Sequence, residues 1–254
     1  MRFLVDRPVL LSVVSFACLW LCAWIGSSLL RKRLRAPTEF KADFVIILSA
    51  SLTLLGLIIG FTFSMATSRY DLRKANEASE ANAIGTEYVR ADLLPSEDAE
   101  RIRVLLKEYL QERIGFYTTA SSGHAREIST RTEALQKDLW AATVAPLSSQ
   151  QKPVLTLVVS GMNDVLNSQA YTQAAWINRI PTSAWLLLGM IAVLCNLMVG
   201  YNQRSSETER ARFLAVLPLV VAVAFFLISD IDSPRGGVVR VTPQNLLLLS
   251  ESLR

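Results

Sequence analysis

Three cysteines and one histidine are few for 254 residues, and their scarcity removes most metal and redox chemistry from consideration. Cys18 and Cys22 fall in one apolar run and Cys195 in another, with no C-x-x-C pair and no histidine partner. They read as small apolar residues rather than as ligands or a redox couple. His124 lies in a Ser/Gly-rich break with no nucleophile or ligand pattern beside it. It reads as a solvated loop residue, because partners and geometry define a catalytic base. Gly-x-Ser-x-Gly, Walker and H-E-x-x-H patterns are also missing. No catalytic residue, metal site or cofactor is expected, and the chain does not read as an enzyme.

A strong charge bias is missing too. The net charge is +4, and residues 67–180 contain 13 Lys/Arg against 14 Asp/Glu. That stretch offers no basic footprint, which argues against nucleic acid as a partner. No internal repeat or low-complexity stretch interrupts the chain, and strand-like alternation is confined to 238–242.

Long apolar runs, by contrast, are plentiful. Residues 44–66 form a 23-residue apolar segment, and at about 1.5 Å per residue it crosses a hydrocarbon core of about 30 Å. Residues 8–30, 182–201 and 213–229 complete a set of four. The first is followed at once by Arg31, Lys32, Arg33 and Arg35 with no A-x-A site, a stop-transfer pattern that keeps this helix in the mature protein. Pro218 interrupts the fourth segment, where it could kink the helix, while Trp24, Trp185 and Tyr201 lie near segment ends. These four residues read as packing and interfacial anchors. Lipid is thus the first partner the sequence implies.

The second apolar run passes without a helix breaker into a charged run that keeps helical spacing, with Arg69, Arg73, Asn76, Glu80 and Glu87 on one side. The helix is expected to project beyond the bilayer as a rod, its acids, Glu77 and Glu80 among them, paired with Arg69, Arg73 and Arg90 in a solvated ion lattice. Three amphipathic helices follow. Ser96 can cap the first, which carries Ile102, Leu105, Leu106, Tyr109 and Ile114. The second carries Ile128, Leu135 and Leu139, and the third Val154, Leu157, Val158, Gly161, Met162, Val165 and Leu166. The fold class is therefore an all-α membrane protein: four transmembrane helices with a helical extramembrane bundle inserted between spans 2 and 3. Its divisions are 1–66, 67–180, 181–229 and a tail at 230–254.

Along the second span Gly56, Gly60, Ser64 and Ser68 repeat at i+4 as a small-residue stripe, beside a bulkier line of Thr53, Leu57 and Phe61. Such a stripe serves close helix packing or an axis shared by many copies. In a symmetric oligomer the bulkier line would stack into hydrophobic rings that gate by dewetting.

Gly60-Phe61 followed by Ser68-Arg69-Tyr70 resembles the second membrane helix of the bestrophin anion channels. Glu80-Ala81-Asn82-x-Ile84-Gly85-Thr86, Arg90 and Asp232-x-Pro234-x-Gly236 are similar to a bacterial bestrophin-like membrane family. The resemblance covers residues 44–243, and it sets Arg69, Arg73, Glu80, Asn82, Gly85, Thr86, Arg90, Asp232, Pro234 and Gly236 apart as family positions. It implies a homo-oligomer, a pentamer with a central path for anions such as chloride, in which Leu57 and Phe61 match the pore neck. The acidic run of calcium-gated bestrophins is missing, and only Asp230 and Asp232 stand there. Asp232-Ser233-Pro234 reads as a capped turn leaving the fourth helix or as a ligand site. Counting Lys and Arg beside the membrane gives eight on each side, a tie under the positive-inside rule. The resemblance then puts the helical module in the cytoplasm and the protein in a bacterial plasma membrane. A non-conducting scaffold or signalling protein whose module binds a partner is the alternative.

Overall fold

The computed structural model describes residues 2–30, 40–119, 121–148, 153, 155–202 and 207–254. The Arg31 to Arg35 cluster and Val154 lie outside the described residues. Every regular element among the described residues is a helix. In chain order the α-helices are α1 (Arg2–Val5), α2 (Pro8–Ile25), α3 (Phe40–Arg90), α4 (Ser96–Thr118), α5 (Ser122–Val144), α6 (Leu155–Ile177), α7 (Thr182–Asn202), α8 (Glu207–Asp232) and α9 (Gln244–Ser252). A π turn at Gly26–Leu30 and 3₁₀ turns at Ala91–Leu93 and Ala145–Ser148 complete the set. Pro8–Ser28, Asp43–Leu93, Leu155–Asn202 and Phe213–Asp232 contain windows long and apolar enough to cross a membrane. Pro218 lies inside α8, which continues past it.

The chain divides into two compact units, Met1–Ser68 with Arg179–Val239, and Arg69–Asn178 with Arg240–Arg254. The 51-residue helix α3 contributes to both, and the division falls within the C-terminal segment.

In the first unit α2 packs against α7 and α8. The core gathers Leu19, Leu55, Ala66, Leu188, Cys195 and Ile228. Two glycines set the closest approach: a Cβ on Gly26 would strike the backbone of Leu197, and one on Gly200 would strike the backbone of Ala23. Trp185 is buried in this core, edge to face with Phe225 at 5.9 Å, so it serves packing.

The second unit is a helical bundle. Ile102, Leu106 and Tyr109 of α4, Ile128 and Leu139 of α5, and Val158, Met162 and Val165 of α6 close around Ile84 of α3 and Leu246 of α9. Leu157, expected on the buried stripe of α6, is instead 54% exposed, and Leu155 is buried in its place, one turn before Val158. Helix α4 starts at Ser96 with Pro95 in the cap position and no side-chain cap. The cap expected at Ser96 is therefore not made, whereas on the next helix Ser121 Oγ accepts from the backbone N–H of His124 at 3.5 Å. His124 therefore sits in the first turn of α5 rather than in a loop, exposed and 3.3 Å from Glu127 Oε2. Residues 238–242 form no strand.

Candidate functional site

Two stretches of α3 and one loop carry the residues of interest. In the first unit Leu48, Leu55, Thr62 and Ala66 turn toward the core. A residue advances about 100° around a helix, as 3.6 residues per turn require, so Thr53, Leu57 and Phe61 fall on the opposite side. Leu57 is 53% and Phe61 64% exposed. Thr53 is exposed as well, its hydroxyl donating to the Ser49 carbonyl of the same helix at 2.9 Å. Gly56, Gly60, Ser64 and Ser68 are also exposed, and a Cβ added at Gly56 or Gly60 would meet nothing within 4 Å. Among the described residues nothing fills the space beside Gly56 and Gly60, and the close approaches sit instead at Gly26, just after α2, and at Gly200 of α7.

In the second unit the charged side of α3 is not a solvated lattice. Arg73, Glu77, Glu80 and Glu87 are all buried. The physical reason is that three of the four find polar partners on other helices, which is what burial of a charge requires. Arg73 Nε donates to the carbonyl of Ala175 at 3.3 Å, one of the last carbonyls of α6 and without an intrahelical partner. Arg69 Nη1 donates to Asn178 Oδ1 at 2.6 Å, and Asn76 Nδ2 to the Tyr171 carbonyl at 3.2 Å. Glu77 accepts from the backbone N–H groups of Asn245 and Leu246 at 2.9 and 3.0 Å and from Asn245 Nδ2 at 2.6 Å. Those N–H groups belong to the first turn of α9, whose cap position holds Pro243 with no side-chain cap. Glu77 supplies the missing acceptor from α3.

Glu80 holds the most closely bonded cluster. Arg113 Nε bonds its Oε1 and Nη2 reaches Oε2 at 3.5 Å, while Tyr117 Oη and Thr172 Oγ1 donate to Oε2 at 3.2 and 3.1 Å. Burial works against the Arg113 charge, yet the Glu80 carboxylate outweighs it and holds the guanidinium above its ordinary pKa. Burial, with the Glu80 charge second, raises the Tyr117 phenol well above its ordinary range. Tyr117 thus remains an O–H donor.

Glu87 is the exception, since both of its carboxylate oxygens are buried and neither has a hydrogen-bond partner among the described residues. Farther along, Gly85 admits α9: a Cβ there would come within 3.0 Å of Leu249 Cδ1. Asn82 and Thr86 are exposed, and with Gly85 and Arg90 they line an open groove of about 510 Å³ against α9.

The loop after α8 belongs to the first unit. Asp232 is buried, and its carboxylate accepts from Arg179 Nε at 3.0 Å and from the Ile180 backbone N–H at 3.2 Å. Arg179 also bonds Asp6 at 2.8 Å. Asp232 therefore ties three segments together, a wider role than capping its own turn. Asp230 accepts from the backbone N–H groups of Val238 and Val239 at 2.7 and 2.9 Å. Pro234 is half-buried in the turn between them, and Gly236 N–H donates to Ser233 Oγ at 3.1 Å. A Cβ on Gly236 would strike the Asp6 carbonyl.

Arg113, Tyr117, Thr172 and Asn245 were missed by sequence reasoning. The signal for Arg113 was present: 102, 106, 109 and 113 share one helical face, so a charge stands on the buried stripe of α4.

All-helical, with four helical stretches apolar and long enough to cross a bilayer, the chain is a membrane protein. It belongs to the bestrophin-like family, whose bestrophin-like domain matches residues 13–246. Three crystal structures of a bacterial bestrophin homolog from Klebsiella pneumoniae share its fold. One with a leucine-to-threonine mutation is 12% identical, with 97% of each chain covered and a TM-score of 0.68. One with a tryptophan-to-alanine mutation is 12% identical over 94% of this chain and 97% of that one, with a TM-score of 0.67. One solved by zinc phasing is 12% identical over 97% of this chain and 96% of that one, with a TM-score of 0.65. Comparison with curated proteins gives no match.

Proposed function

We propose that the protein is an oligomeric anion channel of a bacterial plasma membrane, chloride among its ions, with α3 lining a shared pore. Four spans cross the bilayer, and the helical module of residues 67–180 stands outside it on the cytoplasmic side. Membership of the bestrophin-like family supports the class. One observation carries the pore assignment: the Thr53, Leu57 and Phe61 line is exposed along α3 while the opposite side of the same helix is packed. Copies of that line around an axis make stacked apolar rings, a constriction that gates by dewetting. The line carries no acidic side chain, which favours anions. The second reading is a non-conducting scaffold or signalling protein whose helical module binds a partner, with Gly56 and Gly60, open within this chain, serving only to pack helices.

The two readings part in proteoliposomes. Chloride flux is expected from the wild type, and Leu57→Ala/Phe61→Ala should widen the rings and raise it, with reversal potentials in potassium chloride gradients following chloride. Assembled rings that pass neither ion, before or after the double substitution, would replace the channel by the scaffold.

A further inference from the structure

The groove between α3 and α9 has features that the channel reading leaves unused. Its α3 wall presents Asn82, Thr86 and Arg90 at helical spacing, and its α9 wall presents Asn245, Leu248 and Leu249. Val89 and Leu248 leave apolar surface open there, at 66% and 64% exposure. Gly85 forms part of the floor, where the missing side chain lets Leu249 close up to the α3 backbone. Arg90 makes no hydrogen bond and no ion pair among the described residues. A half-buried Arg90 with no hydrogen-bond partner among the described residues, on the wall of a groove that also carries amide and hydroxyl side chains and exposed apolar carbon, is complementary to an anion with a short hydrocarbon tail.

Behind Arg90 lies Glu87. Gly161 of α6 brings the two together: a Cβ on it would collide with both the Glu87 carboxylate and the Arg90 guanidinium. The charged groups that face Glu87 are Arg90 on α3 and Asp164 on α6. Burial pushes the Glu87 carboxyl up, Arg90 lowers it and Asp164 raises it further, to about 8. At neutral pH Glu87 is then protonated and leaves the Arg90 charge uncompensated.

We propose that this groove binds a small anion with a short apolar tail, an alkyl carboxylate or alkyl phosphate, through Arg90, and that the proton on Glu87 sets its affinity. Ionising Glu87 places a negative charge beside the guanidinium and weakens the anion. By linkage the bound anion strengthens Glu87's hold on its proton. The site is independent of conduction, so it stands or falls apart from the channel reading.

The test uses the full chain in phosphatidylcholine nanodiscs, with hexanoate and butyl phosphate as probes and hexanol as the neutral control, read by calorimetry at pH 7 and pH 9. Both anions should bind saturably at pH 7, hexanol should not, and affinity should fall roughly tenfold at pH 9. Glu87→Gln should bind at pH 7 like the wild type and lose the pH dependence. Arg90→Gln should abolish binding. Asn82→Asp, an exposed change that leaves the core intact, should repel the anion. No saturable binding, equal binding of hexanol, or an unchanged pH profile in Glu87→Gln would each overturn the proposal. A repeat in phosphatidylglycerol separates the two sources of such an anion. Persistence of hexanoate binding supports a soluble ligand, and its loss would overturn that assignment in favour of the lipid headgroup.

Discussion

Three carboxylates within eleven residues of one helix meet three fates. Glu77 is satisfied by backbone N–H groups and Glu80 by a guanidinium and two hydroxyls, while Glu87 has no hydrogen-bond partner among the described residues. Residue type does not distinguish them, so only the partners do. Glu80→Ala would strand the Arg113 charge in the core, which costs about 3–5 kcal/mol. Glu80→Met/Arg113→Met should recover much of that loss, because removing both charges removes the unpaired one. Denaturation of the two variants checks it, and a double variant as unstable as the single would show that the cluster matters for shape rather than charge. Glu87 makes a different prediction. Its pKa is raised from 4.5 to about 8, so between those values the folded protein keeps a proton that the unfolded chain loses. Stability should therefore fall as pH rises through that window and level off above about 8. Glu87→Gln, always neutral, should remove the fall, and melting temperatures taken from pH 4.5 to 9 measure it. A parallel decline in both proteins would place its source elsewhere.

At the scale of the element, the helices were legible and their inward sides only partly so. Residues 44–90 contain no breaker, and helix α3 runs through them. The charged side of its second half reads as solvated because Arg113 and Asn245, which bond Glu80 and Glu77, lie 33 and 168 residues away. No window of sequence contains both partners. Family membership was legible in residues 60–70, 80–90 and 232–236. What the Thr53, Leu57 and Phe61 line does was not, since it faces away from the core of its own unit. For α6 the difference between Leu157 and Val158 gives a sharp check. Val158→Asp buries an unpaired charge and should cost on the order of 3 kcal/mol. Leu157→Asp, one position along and half exposed, should stay within about 0.5 kcal/mol. Equal effects would mean that α6 presents a different face to the core than Val158, Met162 and Val165 define.

For the whole molecule, the side of the membrane on which the proposed module stands decides which solution residues 67–180 meet. The tied charge count leaves the proposed cytoplasmic location to experiment. His124 is exposed, so His124→Cys in a background lacking Cys18, Cys22 and Cys195 reports on it. An impermeant thiol reagent should label this protein after lysis and spare it in intact cells. Equal labelling in intact cells would reverse the orientation.

The bond between Glu77 and the first turn of α9 also has a meaning in time. A chain is made from its N-terminus, so Asn245 leaves the ribosome 168 residues after the carboxylate it satisfies. Until then Glu77 sits in an unfinished bundle without its acceptor duty, and Leu246, which completes that core, is missing as well. A message cut short before codon 245 would yield a protein with all four apolar helices made and its bundle unsealed.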